Sequence, residues 1–317
     1  MSTNNFDVAI VGGGAAGLSA ALALGRSLRS VVVLDAGHPR NAPAHGAHNL
    51  LGNEGISPLD LLAKGRTEAA GYGVDIRATE VRDITRNSNG DFDIQTSDAR
   101  RVSARRLLLA TGLVDELPDV PGVAELWGSS VLHCPYCHGF EVRGKRIGVL
   151  GTSPMSVHQT MLFQQLSDDV ILFTHTMPPL SEEERQQLSA LGVQIVDGPV
   201  ARLDIADGSL RSVELADGTS IDRDALVVAP RFVVVSELYT RLGGTLAEHP
   251  AGQIIPTDPM GATDLPGVWA AGNNTDLAAV VAVSMGAGVM AGAAINADLI
   301  AEEARLALAN SAAATAG

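Results

Sequence analysis

Two cysteines, Cys134 and Cys137, are the only ones in the chain, and they sit inside the stretch "HCPYCHG" with His133 before them and His138 after. Cys-x-x-Cys brings two sulfurs within bonding reach of each other, so one chemistry is reversible thiol–disulfide exchange. Cys-x-x-Cys-His is also the attachment signature of a c-type haem, and two Cys with two His are a zinc-ligand set. A structural zinc site draws four ligands from separated pairs. No second pair exists here, and four adjacent ligands make a strained tetrahedron. Haem attachment takes place outside the cytoplasm, whereas "MSTNNFDVAIVGGG" has neither a basic leader nor a cleavage site after its apolar run, and a cytoplasmic location is expected. Redox exchange is the reading these residues favour, with His138 placed to take a thiol proton. A structural role is the alternative for His138 and weighs equally for His133.

A second cluster of chemistry-bearing residues opens the chain. Gly12-x-Gly14-x-x-Gly17 follows the apolar run "FDVAIV" and precedes a helical pattern, and Asp35 ends the next apolar run. Gly12 permits a tight turn, Gly14 lets a pyrophosphate approach the backbone, and Gly17 lets helix and strand pack closely. The amides at the helix start, from Ala15 and Ala16 onward, are oriented toward a phosphate, and an acid about twenty residues on suits a ribose hydroxyl. A dinucleotide is the expected ligand.

These residues need elements to hold them. The 317 residues are enough for two cores, with 46% hydrophobic and 18% charged side chains. A strand–turn–helix–strand plan at the N-terminus is followed by short alternating strands with an Asn89-Gly90 turn, closing on a buried strand at Arg106–Ala110. The plan then repeats: "GKRIGVLGTSPMSVHQTMLFQQL" and "DDVILFTH" form a second unit, and "VQIVDGPVARLDIADGSLRSVELADGTSIDRDALVVAP" a second insertion. The fold class is therefore α/β, with two Rossmann-like, three-layer nucleotide-binding domains, each carrying a small antiparallel insertion. The expected boundaries are 1–115 with 244–317 for a discontinuous first domain and 116–243 for the second. The apolar run "LAAVVAVSMGAGVMAGAAINADLI" has the length of a membrane span, but Ser284, Asn296 and its many Gly and Ala residues favour a buried helix close to a ligand. The tail "LALANSAAATAG" is expected to fray. A net charge of −14 repels phosphate backbones, and at 3% aromatic residues stacking platforms are scarce, so neither nucleic acid nor a membrane is expected as partner.

In their order along the chain (GxGxxG, "LLLATG", CxxC, a second βαβ unit, "PGVWAAGNNTD") these segments resemble the flavoprotein disulfide reductases. The position of CxxC within the second domain resembles the low-molecular-weight thioredoxin reductases in particular. Glutaredoxins share Cys-Pro-Tyr-Cys but are short domains without this apparatus. The resemblance implies FAD as cofactor. It implies flavin contacts from Ala110, Thr111 and Gly112 at the crossover, from Gly272 and Asn273 beside the ribityl chain, and from Val280 and Val281 through helix-start amides. It also implies cofactor contacts from Ala36, Arg40, Asn49 and Val81, with Cys137 facing the flavin, Cys134 exchanging with substrate, and a homodimer. His45, His48 and His133 are candidates for the substrate mouth.

Two departures point away from a reductase. In "VLGTSPMS" Gly151 is kept, but Ser153 stands where the second glycine belongs and Pro154 follows, so a Cβ crowds the pyrophosphate path and an amide donor is lost. The next strand ends in Thr174-His175-Thr176 rather than in a basic run. Two missing arginines at a 2′-phosphate cost on the order of 3–6 kcal/mol, about 10²–10⁴ in affinity. Dithiol electrons at around −200 to −300 mV pass nearly level to NADP⁺ but strongly downhill to oxygen. With "CPYCHGFEVRGKRIGVLG", "GHPRNAPAHGAHNLLG" and "GVWAAGNN", the pattern resembles the FAD-dependent dithiol oxidases of natural-product biosynthesis, which close the disulfides of gliotoxin-, holomycin- and romidepsin-type compounds. What this implies is oxidation of a small dithiol with O₂ as acceptor and H₂O₂ as product. A disulfide reductase using NAD(P)H, or the same oxidation with NADP⁺ as acceptor, is the alternative.

Overall fold

The computed structural model describes residues 4–315 and divides into two compact units. Its helices, in chain order, are α1 (Ala15–Arg26), α2 (Pro58–Gly71), α3 (Pro135–His138), α4 (Met155–Gln164), α5 (Glu182–Ala190), α6 (Glu237–Arg241) and α7 (Val281–Thr315).

The first unit holds residues 4–40, 59–114 and 232–315. Strand Asn5–Val11 lies at its centre, parallel to Val31–Asp35 on one side and Arg101–Leu109 on the other. Val8, Ala9, Ile10, Val32 and Val33 are fully buried, which suits a parallel sheet covered on both faces. Each of the buried Val and Ile side chains contributes roughly 1.5–3 kcal/mol through burial. The nine-residue strand Arg101–Leu109 has two jobs. Its first half pairs antiparallel with Phe92–Thr96, forming the insertion, and its second half pairs parallel with Val268–Ala270. That strand begins five residues before the expected Arg106, because its alternating first half pairs with the insertion on one side while Ser103 and Ala104 already pair with Asn5 and Phe6 of the central strand.

Helix α7 lies along α1. A Cβ at Gly288 would overlap the carbonyl of Ala16, and one at Gly292 would come to 3.0 Å from the carbonyl of Ala20. Four residues on in α7 meet four residues on in α1, so the two helices run in the same direction. By length and composition Val281–Ala312 could cross a membrane, but Ser284, Ala291, Ile295 and Leu299 are buried in this unit. Within the tail, residues through Thr315 are helical, and 316–317 lie outside the described residues. Arg105 and Arg106, on the sheet, hold Asp298, Glu302 and Glu303 of α7 at 2.6–3.1 Å.

The second unit holds 41–58 and 115–231. Its parallel sheet runs in the order Gln194–Val196, Val170–Phe173, Ile147–Leu150, Ala225–Val227, Val131–Leu132. The first unit has the corresponding order Asp75–Ala78, Val31–Asp35, Asn5–Val11, Arg101–Leu109, so the duplication inferred from the sequence is present in the topology. The second insertion is an antiparallel sheet of Val200–Ala206, Ser209–Leu215 and Ser220–Asp222. The division departs from the expected boundaries in two places. Residues 41–58 pack with the second unit rather than the first, and 232–243 belong to the first. The first departure follows from contacts made by Pro43, His48 and Asn49, which no local pattern announces.

Candidate functional site

In the first unit the glycine turn is built as its spacing predicts. Gly12 has φ +105°, and a Cβ there would overlap the Ala110 carbonyl. A Cβ on Gly17 would overlap the carbonyl of Gly12. At Gly14 a Cβ would meet nothing within 4 Å, so the backbone is open on that side. Gly14 is the N-cap of α1 and supplies no side-chain cap, which leaves the amides of Ala15, Ala16 and Gly17 available to an anion. Because α7 runs parallel to α1, its start at Val281 points to the same end, but with Gly288 beside Ala16 it begins about six residues ahead of α1. Gly272 adopts φ +93°, and a Cβ there would come to 3.1 Å from Ala16.

Asp35 sits at the tip of its strand. Burial would raise its pKa, but hydrogen bonds from Arg66 at 2.8 Å and from the amides of Gly37 and Gly13 hold it below the usual carboxylate range. A Cβ at Gly13 would lie 2.6 Å from its Oδ2, so Gly13, which the spacing argument passed over, is what admits the acid to the turn. Ala36 follows, exposed, and Arg40 lies over the ring of Phe232, 5.0 Å from its centroid. Val81 opens the strand of the insertion opposite Thr96. Thr111 donates its hydroxyl to Val235 O at 2.6 Å, and Gly112 turns with φ +68°. Asn273 uses its amide protons on the carbonyls of Asp276 and Ala279, which leaves Oδ1 as its acceptor. Its neighbour Asn274, missed in the sequence, is fully buried. Asn274 donates to Leu109 O at 2.9 Å and has no protein partner for Oδ1. An open Gly14 face, an uncapped helix start and an orphaned buried acceptor together fit FAD: Gly12–Gly17 and the α1 amides would hold its pyrophosphate, and Asp35 a ribose hydroxyl.

The equivalent place in the second unit is closed from within. The amides of Thr152 and Ser153 point to Ser156 Oγ at 3.2 and 3.4 Å, and Ser156 is completely buried. Pro154 is the N-cap of α4. The segment after Val170–Phe173 folds back, with the amides of Thr176 and Met177 both donating to Gly151 O at 3.0 Å. His175, at φ +42°, accepts from the amide of Val200, and burial lowers its pKa. Two loop amides are taken by a side chain, and the strand end carries His175, whose lowered pKa keeps it neutral near pH 7.

The redox pair also lies in the second unit. Cys134 is the N-cap of α3 and Pro135 its first residue, a position where the missing N–H costs nothing. The amides of Cys137 and His138 both donate to Cys134 O, and the two thiol sulfurs are 2.7 Å apart. A Cβ on Gly139 would overlap Pro135 O and approach Leu166 to 2.5 Å, so the glycine closing the motif is needed for packing. His138 is half-buried, with Nε2 buried and without a hydrogen-bond partner. Burial lowers its pKa, His48 and His45 lower it further, and Glu141 opposes them. It is therefore neutral near pH 7 and can accept a proton. His133 is tied down instead: Nδ1 lies 2.9 Å from Val228 O, and Gln159 donates to the His133 carbonyl at 3.0 Å.

Segment 41–58 brings three of the remaining candidates to this unit. Asn49 donates to Tyr136 O at 2.8 Å. His48 is held by Glu54 at 2.7 Å and faces Glu141 at 3.6 Å, and His45 is close enough to influence His138. Glu54, Glu141, Tyr136 and Gln159 were not singled out from the sequence. Tyr136 had a local signal as the residue between the two cysteines, and Glu141 as the acid three positions after His138.

The model of the pyridine nucleotide-disulphide oxidoreductases matches residues 6–297. The chain belongs to that family. Within this family it is 32% identical to thioredoxin reductase tcpT of Claviceps purpurea (strain 20.1), over 95% of this chain and 97% of the relative. It is 31% identical to thioredoxin reductase sirT of Leptosphaeria maculans, over 92% and 93%. Among solved structures, that of HlmI superposes with a TM-score of 0.93 at 43% identity, covering 100% of this chain and 99% of that one. This oxidoreductase is thus a thioredoxin-reductase-like flavoprotein with two Rossmann-like domains, and its cofactor is FAD.

Proposed function

We propose that this flavoprotein oxidises a small dithiol to its intramolecular disulfide, with oxygen as terminal acceptor and hydrogen peroxide as product. The observation that carries this reading is Ser156. Its hydroxyl occupies the two loop amides that a nicotinamide cofactor's pyrophosphate would need, beside a Pro cap and a strand end without Arg or Lys. Reducing equivalents then have to arrive as thiols.

FAD, when bound, supplies a two-electron acceptor whose reduced form is reoxidised by oxygen. The protein's own residues do the sulfur chemistry. In the oxidised pair, a substrate thiolate attacks Cys134 Sγ, the Cys134–Cys137 bond breaks, and Cys137 leaves as thiolate. The second substrate thiol then attacks the mixed disulfide, its own disulfide forms, and Cys134 leaves. His138, neutral and with Nε2 unpartnered, takes a thiol proton. In total two thiols become one disulfide, and two electrons and two protons go to O₂.

The likeness to HlmI and to sirT supports placing the chain among the thioredoxin-reductase-like enzymes of natural-product biosynthesis, a setting that suits a small dithiol as substrate. Cysteine use limited to the redox pair suits action in the cytoplasm. The exposed apolar side chains of α7, Val283, Met290 and Ile300 among them, suit burial against a second copy in a homodimer. That tcpT and sirT are named thioredoxin reductases favours the second reading, an NAD(P)H-dependent disulfide reductase. Anaerobic mixing separates the two. A dithiol such as dithiothreitol should bleach the flavin, and air should then restore it with release of peroxide. Rapid bleaching by NADPH with little effect from dithiol reverses the order of the two readings.

A further inference from the structure

Three of the five buried residues of α4 are polar: Ser156, Gln159 and Thr160, at positions i, i+3 and i+4 on one face of the helix. Ser156 closes the loop at the helix start, and Thr160 donates its hydroxyl to the Ser156 carbonyl at 2.7 Å. Gln159 has neither task. It is 8% exposed, and its amide reaches from the helix to the ends of two neighbouring strands. Strands Val131–Leu132 and Ala225–Val227 pair in parallel, and the first residues beyond them are His133 and Val228. Nε2 of Gln159 donates to the His133 carbonyl at 3.0 Å and to the Val228 carbonyl at 3.4 Å.

These acceptors fix the orientation of both amide and ring. Reversed, the Gln159 side chain would set its oxygen against two carbonyl oxygens, so Nε2 faces them. Val228 O also lies 2.9 Å from Nδ1 of His133, and a carbonyl only accepts, so that ring nitrogen carries the proton and Nε2 is the basic atom of the neutral ring. The carbonyl that Gln159 holds belongs to the peptide plane that carries the Cys134 amide, and a planar peptide turns as one piece. Cys134 in turn starts α3, its own carbonyl taking the amides of Cys137 and His138. At the other end of the Gln159 amide, Oε1 is buried and has no hydrogen-bond partner among the described residues. A methionine of similar length would fill the same space and bury no orphaned acceptor. Packing therefore gives no reason for an amide at this position, and the two donated bonds do.

We propose that Gln159 is a positioning residue of the sulfur exchange: it holds the His133–Cys134 peptide so that Cys134 Sγ is presented to an incoming thiolate. The inference rests on exchange at Cys134 as proposed above and is independent of where the electrons go afterwards. The step it governs is the first. The thiolate sulfur bonds to Cys134 Sγ, the Cys134–Cys137 bond breaks, and its electron pair leaves on Cys137.

The test follows the opening of oxidised Cys134–Cys137 by dithiothreitol in the FAD-loaded protein, by acid quench, alkylation and mass spectrometry. The chain has no other cysteine, so every trapped thiol reports this pair. Gln159→Met should open about tenfold more slowly at pH 7, through loss of the two buried hydrogen bonds, with unchanged flavin per chain. Gln159→Glu, when ionised, points a carboxylate at two carbonyls and should be at least as slow. As pH falls its carboxyl protonates and regains an O–H donor, so its rate relative to wild type should climb while the Gln159→Met ratio stays flat. Gln159→Met opening at the wild-type rate, equally flat ratios for both variants, or loss of flavin and fold in Gln159→Met overturns the proposal. Wild-type flavin bleaching by dithiothreitol, with peroxide on admitting air, tests the oxidase reading separately, because thiol trapping reads the pair whatever accepts the electrons.

Discussion

The side-chain amide of Asn49 donates to the carbonyl of Tyr136 at 2.8 Å, which fastens segment 41–58 to the turn between the two redox cysteines. Asn49 also occupies the left-handed region at φ +61°. Asn49→Ala loses the hydrogen bond, about 0.5–1.5 kcal/mol, and puts in the left-handed region a residue without the short polar side chain that lets Asn tolerate it. Asn49→Gly loses only the first. Limited proteolysis within 41–58 should therefore rise in the order wild type, Gly, Ala. Equal cleavage of all three would show that the bond does not hold the segment.

Gly14 differs from its neighbours in having nothing within 4 Å of a prospective Cβ. Gly14→Val should fold, with unchanged far-UV circular dichroism, yet purify with several-fold less flavin per chain, because the branched side chain occupies the pyrophosphate approach. Gly17→Val, whose Cβ overlaps the Gly12 carbonyl, should lose solubility or melt much earlier. A fully yellow Gly14→Val protein would place the cofactor's phosphates elsewhere.

Cys134→Ser and Cys137→Ser should each abolish dithiol turnover while the protein stays yellow, since neither sulfur is part of the glycine turn that fits FAD. A colourless and unfolded product in both cases would make the pair structural.

His138 has a native pKa below its ordinary 6.5, chiefly because it is buried, with His48 and His45 adding and Glu141 opposing. The unfolded chain therefore binds the His138 proton first as pH falls. Stability from this group is complete above about pH 6.5 and is lost as pH drops from there through the native value. The acid limb of kcat/KM should likewise fall below pH 6.5. His48→Gln removes a neighbouring positive charge at low pH and should move that limb upward, while Glu141→Gln removes an opposing charge and should move it downward. Profiles that coincide for wild type and His138→Gln would remove His138 from the proton path.

Short-range patterns carried much of this protein. The Gly12–Gly14–Gly17 turn, Asp35 at the strand end, the Cys134–Cys137 pair and the repeated βαβ plan were all legible, because each depends on residues within one turn, strand or helix whose spacing fixes their geometry. The substitutions at Ser153 and Pro154 were legible for the same reason. Other features arise only once distant segments meet: the assignment of residues 41–58 to the second unit, Ser156 filling the loop beside it, the orphaned Asn274 oxygen, and the placement of His48 between Glu54 and Glu141. Side-chain burial and pairing across tens of residues depend on which surfaces the packed elements present to each other. A backbone pattern read locally contains no record of that choice, and folding the whole chain makes it.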